Sequence, residues 1–277
     1  MTEILARKQL NENTISLDLE CPLIARKAQA GQFIILRIDE SGERIPLTIN
    51  DTDGTSMIRV VFQTVGKTTD QLATLKAGDQ LIDVVGPLGK ATELTGYDRV
   101  AIVVGGLGCA IGYMSAKQLY RQGTGVDIIA GFRTKDIIIL EEEMADVCDK
   151  LYLCTDDGSY GFAGFVSDQL KELLKVKKYD LVLTIGPLQM MKVVSNVTKD
   201  AGIKTLASIN SIMVDGSGMC GCCRLTYNGE VKFACVDGPD FEADKVDFDE
   251  LIVRNNFYRA QEKTARDHYC KLLGEKR

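Results

Sequence analysis

The chain has 277 residues, enough for two domains of ordinary size, each with its own core. Its 45% hydrophobic and 26% charged residues are typical of a globular protein, and its net charge of −6 argues against a nucleic-acid-binding function. The single histidine, His268, leaves almost nothing for mechanisms that need histidine, such as Ser-His-Asp hydrolysis.

The N-terminal sequence, MTEILARKQL, lacks the apolar segment of a signal peptide, and no stretch approaches the ~18 apolar residues of a transmembrane helix. We therefore expect no export, no membrane span and a cytoplasmic location. The nine cysteines are odd in number and clustered, which in such a chain favours a metal centre over a disulfide framework.

The first part of the chain, residues 1–96, contains short apolar or alternating stretches separated by turns that carry glycine. These stretches predict strands at Ile15–Leu19, Phe33–Ile38 and Met57–Gln63, and a helix at Thr68–Leu75. Short strands at such close spacing are typical of a small barrel, so we predict a β-barrel over residues 1–96.

After residue 96 the pattern changes to apolar strands that alternate with helical stretches. The predicted strands are Val100–Val104, Val126–Ala130, Lys150–Cys154, Leu181–Ile185 and Thr205–Ser208. The predicted helices follow the first strand to about Arg121 and then cover Ile137–Val147, Phe165–Leu174 and Leu188–Asp200. We therefore predict a doubly wound α/β domain over residues 97–210, with helices on both faces of a parallel sheet.

The remaining residues, 211–277, begin with a cysteine-rich loop and turn acidic between Asp237 and Asp249. They end in a predicted amphipathic helix at about Asp249–Leu273. A solvated terminal helix and a helix that packs against a partner subunit both remain open.

Two motifs in the predicted barrel are candidates for binding a diphosphate. An arginine beside a strand with a hydroxyl suits a flavin diphosphate, because the guanidinium group contacts two phosphate oxygens; the residues concerned are Arg44, Pro46, Leu47 and Thr48. At the predicted helix start, backbone N–H groups can form an anion site at Gly66, Lys67 and Thr68. The alternatives are an arginine in a turn before an edge strand, and an ordinary helix N-cap at Thr68 or Thr69.

Three loops follow predicted parallel strands and carry glycine. The residues of interest in them are Gly105, Gly106 and Gly108 in the first, Asp157 in the second, and Gly186, Pro187 and Met190 in the third. Ligands of an open α/β sheet bind at the carboxyl ends of its strands. A tight turn explains any one of these loops, whereas three at one edge favour a dinucleotide site.

The segment Val214–Asp237 holds four cysteines in a glycine-rich loop, and its candidate ligand pattern is Asp215-x4-Cys220-x2-Cys223-x11-Cys235. Plant-type 2Fe–2S loops have the spacing C-x4-C-x2-C…C, so this loop keeps the spacing with a carboxylate in first place. Zinc is the alternative, although zinc sites usually have two C-x2-C pairs or paired histidines. Because Cys222 is adjacent to Cys223, we do not expect both to face one metal.

The order of barrel, RIPLT, GGLG, GPLQM and C-terminal cysteine loop resembles the ferredoxin–NADP reductase superfamily. Over residues 5–250 the chain resembles more narrowly an FAD/NAD-binding subunit shared by two systems. One is the dihydroorotate dehydrogenase electron-transfer subunit, which has four cysteines at its cluster. The other is the small subunit of NADH-dependent reduced ferredoxin:NADP oxidoreductase (also described as a sulfide dehydrogenase subunit), which has one Asp and three Cys, as in VDGSGMCGCC here.

The resemblance implies a flavin-dependent, NAD(P)H-linked oxidoreductase subunit. It assigns the barrel motifs to FAD, the glycine loops to NAD(H), with NADP(H) not excluded, and to the 2Fe–2S cluster Asp215, Cys220, Cys223 and Cys235. It further implies a heterodimer with a larger NADP(H)-binding iron–sulfur flavoprotein, in a complex that bifurcates electrons to ferredoxin. Two alternatives remain open: a dihydroorotate dehydrogenase electron-transfer subunit, and a zinc-binding regulatory module on the same scaffold.

Overall fold

The computed structural model describes residues 1–274 of the chain, with side chains described up to residue 269. Two seven-stranded sheets and one two-stranded hairpin organise these residues. The strands of the first sheet end at Leu88, and those of the second begin at Arg99.

The first sheet is a nearly closed antiparallel barrel. Its strands are β1 (Thr2–Asn11), β2 (Thr14–Glu20), β3 (Phe33–Arg37), β4 (Ile45–Thr52), β5 (Met57–Gln63), β6 (Gln80–Leu81) and β7 (Asp83–Leu88), and its helices are α1 (Pro22–Ala25) and α2 (Lys67–Leu72). The strand order is β6-β1-β2-β5-β4-β3-β7. Because only Ile82 separates β6 from β7 in the chain, the two ends of the sheet are held together and the sheet rolls up.

Cross-strand pairs between β2 and β5 fill the barrel. The paired and fully buried residues are Ile15 with Phe62, Leu17 with Val60, and Leu19 with Ile58. This alternation of buried positions is the period-two pattern of a sheet with one face on the core. The strands predicted at Ile15–Leu19 and Met57–Gln63 are confirmed.

The second sheet is parallel except for its last strand. Its strands are β8 (Arg99–Gly105), β9 (Gly125–Phe132), β10 (Lys150–Thr155), β11 (Phe162–Ala163), β12 (Leu181–Ile185), β13 (Lys204–Ser208) and β16 (Asp240–Glu242), in the order β11-β10-β9-β8-β12-β13-β16. The strand β16 pairs antiparallel with β13. The five strands predicted for this region are therefore confirmed.

Helices cover both faces of the second sheet, as predicted for a doubly wound fold. They are α3 (Gly108–Arg121), α4 (Glu141–Ala145), α5 (Val166–Leu174) and α6 (Leu188–Asp200). On β8, Ile102 packs in one core with Leu119 of α3, whereas Val103 packs in another with Leu170 of α5 and Val194 of α6. Successive side chains of β8 point to opposite faces of the sheet, so this one strand contributes to the cores on both faces.

Between β13 and β16 the chain makes an excursion that carries the cysteines. It contains the hairpin of β14 (Arg224–Tyr227) and β15 (Glu230–Phe233), followed by α7 (Ala234–Asp237). Ser208 pairs with Asp240, so the two ends of the excursion start and finish side by side at the edge of the second sheet.

Two predicted helices are wrong in extent. The stretch Ile137–Val147 contains only α4 after a short 3-10 turn at Lys135–Ile137, because Leu140 has a left-handed φ of 55° and interrupts the helix. The C-terminal stretch forms α8 (Phe248–Asn255) and α9 (Arg259–Gly274) rather than one helix. In the described part of the chain, no helix is both long enough and apolar enough to cross a bilayer.

A buried carboxylate, Asp127 on β9, ties the second sheet together at the end remote from the glycine loops. It accepts hydrogen bonds from Lys177 Nζ at 2.7 and 3.0 Å and from the Tyr179 hydroxyl at 2.8 Å. Arg99 Nη1 lies 3.3 Å from the same carboxylate, whose side chain is 0% exposed. Burial and the bond to Asp127 raise the pKa of Tyr179, so this hydroxyl acts as a donor at neutral pH.

We expect Asp127→Ala to lower the free energy of unfolding by about 2–4 kcal/mol, because it leaves a cavity and an unpaired buried hydroxyl at Tyr179. Asp168→Ala is the matched control, since Asp168 pairs with Lys171 on the surface, where such pairs contribute about 0–1 kcal/mol. Urea unfolding followed by circular dichroism measures both. Equal midpoints for the two variants would contradict a stabilising role for the Asp127 network.

Candidate functional site

One edge of β4 is open over the residues predicted to bind a flavin. From Ile45 to Thr48 the strand pairs with β3, whereas its pairing with β5 begins only at Ile49. Arg44 stands exposed immediately before this stretch. Backbone groups of Pro46, Leu47 and Thr48 therefore lie where the sheet splays, next to an available guanidinium group.

The second predicted flavin motif lies beside the first. Thr68 is buried in the first turn of α2. Its hydroxyl group donates a hydrogen bond to Glu43 Oε2 at 2.5 Å, and Glu43 directly precedes Arg44 in the chain. Thr69, the third residue of α2, accepts the backbone N–H groups of Val65 and Gly66 through its Oγ1 at 3.0 Å each. The N-cap residue itself is Gly66, so the alternative of an N-cap at Thr68 or Thr69 is wrong in position, although Thr69 bonds back to the N-cap.

The space around these backbone groups suits a phosphate. A Cβ placed on Gly66 would meet nothing within 4 Å, and the same holds for Gly106 in the first glycine loop. Lys67, between Gly66 and Thr68, adds a positive charge at the start of α2. The barrel motifs therefore offer an arginine, a lysine and uncovered backbone to an anionic ligand.

Two of the three glycine loops are in direct contact at the carboxyl edge of the second sheet. A Cβ on Gly108 would lie 2.2 Å from the carbonyl oxygen of Ile185, so only glycine lets α3 begin this close to the end of β12. A Cβ on Gly105 would lie 2.6 Å from Met190 Sδ, and one on Gly186 would lie 2.9 Å from Met190 Cε. The structure thus brings the GGLG turn and the Gly186–Met190 loop, including Pro187, together.

The third loop lies at the same edge but two strands away. Asp157 is exposed after β10, and its Oδ1 accepts the backbone N–H of Ser159 at 3.0 Å and the Ser159 hydroxyl at 2.6 Å. These hydrogen bonds lower the pKa of Asp157. Ser159 also accepts the backbone N–H of Lys135 at 2.9 Å, which fixes the loop to the segment after β9.

The strand β4 and the helix α3 are joined directly. Asn50 on β4 donates to the carbonyl oxygen of Ala110 in the first turn of α3, at 2.8 Å and in a buried position. Its neighbour Asp51 accepts two hydrogen bonds from Lys117 Nζ of α3, at 2.7 and 2.6 Å. No sequence motif predicts these two contacts, and the only signal is that Asn50 and Asp51 follow RIPLT after one residue, Ile49.

In the cysteine loop, the hairpin explains the long spacing between the last two cysteines. Cys223 precedes β14 and Cys235 follows β15, and the pairing of Arg224 with Phe233 sets the two cysteines next to each other. The backbone N–H of Cys235 points to Cys223 Sγ at 3.4 Å. Both thiols are buried, and burial raises the pKa of the Cys235 thiol to about 12.

The other cysteines of the loop are nearer the surface. Cys220 is exposed, and the backbone N–H of Cys222 lowers the pKa of its thiol. A hydrogen bond with Cys220 raises the pKa of Cys222. The thiol of Cys220 is therefore the more easily ionised of the two, as a cluster ligand requires.

Asp215 is already held in its ionised form. Its Oδ2 accepts the backbone N–H of Ser217 at 3.0 Å and the Ser217 hydroxyl, and these bonds lower the pKa of the carboxyl group. The positive charge of Arg44 lowers it further. The predicted first cluster ligand is thus close enough to the predicted flavin arginine for the two charges to interact.

The cysteine loop lies directly against the barrel. Gly216 has a φ of +80°, and a Cβ there would meet Leu88 Cδ1 at 2.8 Å and Ile35 Cγ1 at 3.1 Å. Phe33 and Ile35 of β3 share a buried core with Cys223 and Cys235. Since β3 pairs with β4, only one strand separates the cysteines from the open edge at Pro46–Thr48.

The donor set of this loop fits a 2Fe–2S cluster. The predicted donors are three thiols and one carboxylate, and two backbone N–H groups of the loop already point at sulfur; such N–H···S bonds are characteristic of iron–sulfur loops. Over residues 1–269, however, no three His, Cys, Asp or Glu side chains are arranged as a metal-binding group. The predicted ligands stand as neighbours, with Cys223 beside Cys235 and Asp215 beside Cys220.

We expect Gly216→Ala to release the cysteine loop from the barrel, because alanine is strained at this φ and its methyl group would overlap Leu88. The substitution should destabilise the folded conformation of the loop by about 1–3 kcal/mol. Iron and flavin contents of the purified variant measure it: iron should fall while flavin is retained. Gly229→Ala is the control, since this hairpin glycine has a similar φ of +77° but open space around it. Equal iron loss in both variants would indicate a general effect of backbone strain.

Comparison with known proteins gives a family match in the cysteine loop and relatives that match nearly the whole chain. A family model described as the iron–sulfur cluster binding domain of dihydroorotate dehydrogenase B matches residues 210–247, which include the cysteine loop. A protein of Thermotoga maritima, named dihydroorotate dehydrogenase B (NAD(+)), electron transfer subunit homolog, is 42% identical over 276 residues, 99% of this chain and 98% of the relative. A Clostridium beijerinckii protein known as uncharacterized protein in adh 3'region is 48% identical over 274 residues, 95% and 92% of the two chains.

A solved structure is similar over the same length. It is that of an NADH-dependent reduced ferredoxin-NADP oxidoreductase, a system described as carrying out flavin-based electron bifurcation. The TM-score is 0.92 with 40% sequence identity, and the similarity covers 98% of each chain. The similarity therefore extends over all but a few residues of the chain.

Proposed function

Because this chain belongs to the family of dihydroorotate dehydrogenase B electron transfer subunits and their homologues, we propose that it passes electrons between NAD(H), FAD and a 2Fe–2S cluster. The observation that carries the proposal is the contiguity of its three candidate sites. The first glycine loop leads into α3, α3 is hydrogen-bonded to β4, and the cysteine loop packs on the neighbouring strand β3. The three candidate sites therefore lie on elements that are in direct contact with one another.

The residues divide among the three ligands as follows. Arg44, Gly66, Lys67 and Thr68 would hold the FAD diphosphate, with Pro46, Leu47 and Thr48 along its flavin end. The nicotinamide nucleotide would lie over Gly105, Gly106 and Gly108, with Gly186, Pro187 and Met190 at one side and Asp157 farther along the edge. Asp215, Cys220, Cys223 and Cys235 would hold the cluster.

When bound, FAD exchanges two electrons as hydride with a nicotinamide and single electrons with an iron–sulfur cluster. The side chains of this protein need only position the ligands and exclude water, and no acid or base is required of them. The Asn50 and Asp51 contacts to α3 keep β4 and the first glycine loop in fixed register. Such positioning matters because small displacements of reacting groups lower rates steeply.

The partner we propose is a larger iron–sulfur flavoprotein that binds NADP(H), in a complex that bifurcates electrons between ferredoxin and the two nucleotides. The similarity to the oxidoreductase of flavin-based electron bifurcation supports it. The carboxylate at position 215 also supports it, since the small subunits of that oxidoreductase resemble this chain in having one Asp and three Cys.

The second candidate is the electron transfer subunit of dihydroorotate dehydrogenase B, which the family model at residues 210–247 favours. It predicts a partner that oxidises dihydroorotate, so the subunit that co-purifies distinguishes the two. A zinc-binding regulatory module on the same scaffold is the remaining alternative, and a purified protein without flavin or iron would support it.

For the nucleotide we propose NAD(H). Arg133 stands exposed directly after β9, where an arginine could also serve a 2′-phosphate. Anaerobic titrations of this purified chain, separated from any NADP(H)-binding partner, with NADH and NADPH, followed by bleaching of the flavin absorption, test this. Bleaching by NADH at far lower concentration supports the proposal, and a preference for NADPH contradicts it.

We expect Asp215→Ala to change the EPR spectrum and midpoint potential of the cluster, because alanine has no donor atom and removes the anionic oxygen ligand from the iron. Asp215→Cys should give a cluster with the ordinary four-thiolate spectrum. Spectroelectrochemical titration measures both variants. An alanine variant with unaltered spectrum and potential would show that Asp215 does not bind the cluster.

A further inference from the structure

The C-terminal helices α8 and α9 touch both of the loops that the proposed function assigns to redox cofactors. They leave the second sheet after β16, run past the cysteine loop, and reach the barrel at α2. Each helix contributes one arginine to a loop that lies far from it in the sequence. None of these contacts was predictable from the sequence.

The contact at the barrel is made by Arg266 of α9. Its Nε and Nη2 bind the two carboxylate oxygens of Asp70 at 2.7 and 3.1 Å, and Nη2 also donates to the carbonyl oxygen of Thr64 at 3.1 Å. Thr64 and Asp70 stand on either side of Gly66–Thr69, the proposed flavin diphosphate loop. The guanidinium group of Arg266 therefore binds a residue at each end of that loop.

The loop needs an external support. The helix α2 has only six residues, and helices of this length are not stable by themselves in water. Gly66 begins the helix in an extended conformation and gains no packing from a side chain of its own. Asp70 has a side chain only 17% exposed in its pair with Arg266, so the contact is partly shielded from solvent.

The contact at the cluster loop is made by Arg254 of α8. Its Nη2 donates to the carbonyl oxygen of Cys222 at 3.3 Å, in a partly buried position, between Cys220 and Cys223. The next residue, Asn255, donates through Nδ2 to the carbonyl oxygen of Asn210 at 2.7 Å, where the excursion leaves the sheet. The end of α8 thus holds the beginning and the middle of the cysteine excursion.

We propose that α8 and α9 form a C-terminal strap, in which Arg266 is a positioning residue for bound FAD and Arg254 is a positioning residue for the cluster loop. The proposal rests on the proposed function, since it takes the loop at Gly66–Thr69 to hold FAD. Arg266 acts through Asp70 and the Thr64 carbonyl rather than by touching the flavin. The strap slows FAD dissociation by keeping the backbone N–H groups of the loop in their binding arrangement.

The test compares FAD dissociation rates of the purified holoprotein and three variants, from the rise in flavin fluorescence after dilution. We expect Arg266→Ala to release FAD about tenfold faster, the change that corresponds to ~1.4 kcal/mol. Arg266→Lys should lie between, because lysine can pair with Asp70 but cannot bind both oxygens and the carbonyl together. Lys263→Ala, an exposed residue of the same helix, should leave the rate unchanged.

The cluster provides the second readout. Arg266→Ala should leave the EPR spectrum and iron content unchanged, whereas Arg254→Ala should lower the iron content and leave the FAD dissociation rate unchanged. This crossed pattern separates positioning by the two arginines from a general loss of stability, which would affect both cofactors in both variants.

Release of FAD from Arg266→Ala at the rate of the wild type would overturn the strap while leaving the proposed function intact. If Arg266→Ala does not fold, Arg266→Lys decides, because it keeps the charge and the packing of the stem. A wild-type protein that contains no flavin would overturn the proposed function and the strap together.

Discussion

Replacing Cys235 with serine is expected to remove the iron–sulfur cluster, leaving iron at less than about a tenth of the wild-type content. Cys235 and Cys223 are the buried pair of the loop, set side by side by the hairpin. A serine hydroxyl is a much weaker ligand for iron than a thiolate and does not ionise at neutral pH. The flavin should be retained, because the barrel motifs do not include this residue.

Cys222→Ser is the matched control, as it lies in the same loop and makes the same substitution. Cys222 is adjacent to Cys223 and is not among the proposed ligands, so iron content and EPR spectrum should remain those of the wild type. Iron analysis and EPR of the dithionite-reduced proteins measure both variants. Loss of the cluster from Cys222→Ser with retention in Cys235→Ser would reverse the ligand assignment.

Gly108→Ala is expected to lower the rate of flavin reduction by NADH about 100-fold or more, because displacements near 1 Å at a reaction centre have effects of this size. The new methyl carbon would lie 2.2 Å from the carbonyl oxygen of Ile185 and 2.9 Å from its carbon. Both atoms belong to the backbone of β12, so neither can rotate away. The start of α3 must move, and it carries the glycine loop with it.

The control is Gly112→Ala, one turn further along α3. A methyl group there meets only side-chain carbons of Val104, Ile102 and Ile185, at 3.1 to 3.3 Å, and these have room to adjust. Stopped-flow mixing with NADH measures the rate, and dithionite reduction shows that the flavin itself remains competent. An unchanged rate in Gly108→Ala would contradict the placement of the nucleotide at this turn.

The sequence predicted the sheets well because their cores are made by local patterns. Alternation at Ile15–Leu19 and the continuous apolar run at Val100–Val104 each depend on which faces of a strand are buried. The glycine loops were also recognisable, because close approach of backbone to backbone, as at Gly108 and Ile185, tolerates no other residue.

The hairpin of β14 and β15 was missed although its signal was present. Asn228 and Gly229 both have positive φ values, 51° and 77°, and an Asn-Gly pair is the strongest short-range indication of a tight hairpin turn. The strands on either side are only four residues long, too short for periodicity to stand out. The turn pair, read together with the spacing of Cys223 and Cys235, would have placed both cysteines side by side.

The two helices that were wrong in extent fail for tertiary reasons. Leu140 takes up a left-handed conformation that no residue pattern near it demands. The predicted C-terminal helix is interrupted after Asn255. The side chain of Asn255 binds the carbonyl oxygen of Asn210, a residue far from it in the sequence. The contacts of Lys117, Arg254 and Arg266 are likewise set by how separate elements pack, which no local pattern encodes.

The most direct test of the account is an anaerobic reduction of the purified wild-type protein with NADH, followed by absorption and EPR spectroscopy. We predict flavin absorption bands that bleach on addition of NADH, and an EPR signal of one reduced 2Fe–2S cluster per chain. A colourless protein, or flavin that NADH reduces in a protein without a 2Fe–2S signal, would contradict the assignment of this chain as the path between a nicotinamide nucleotide and an iron–sulfur cluster.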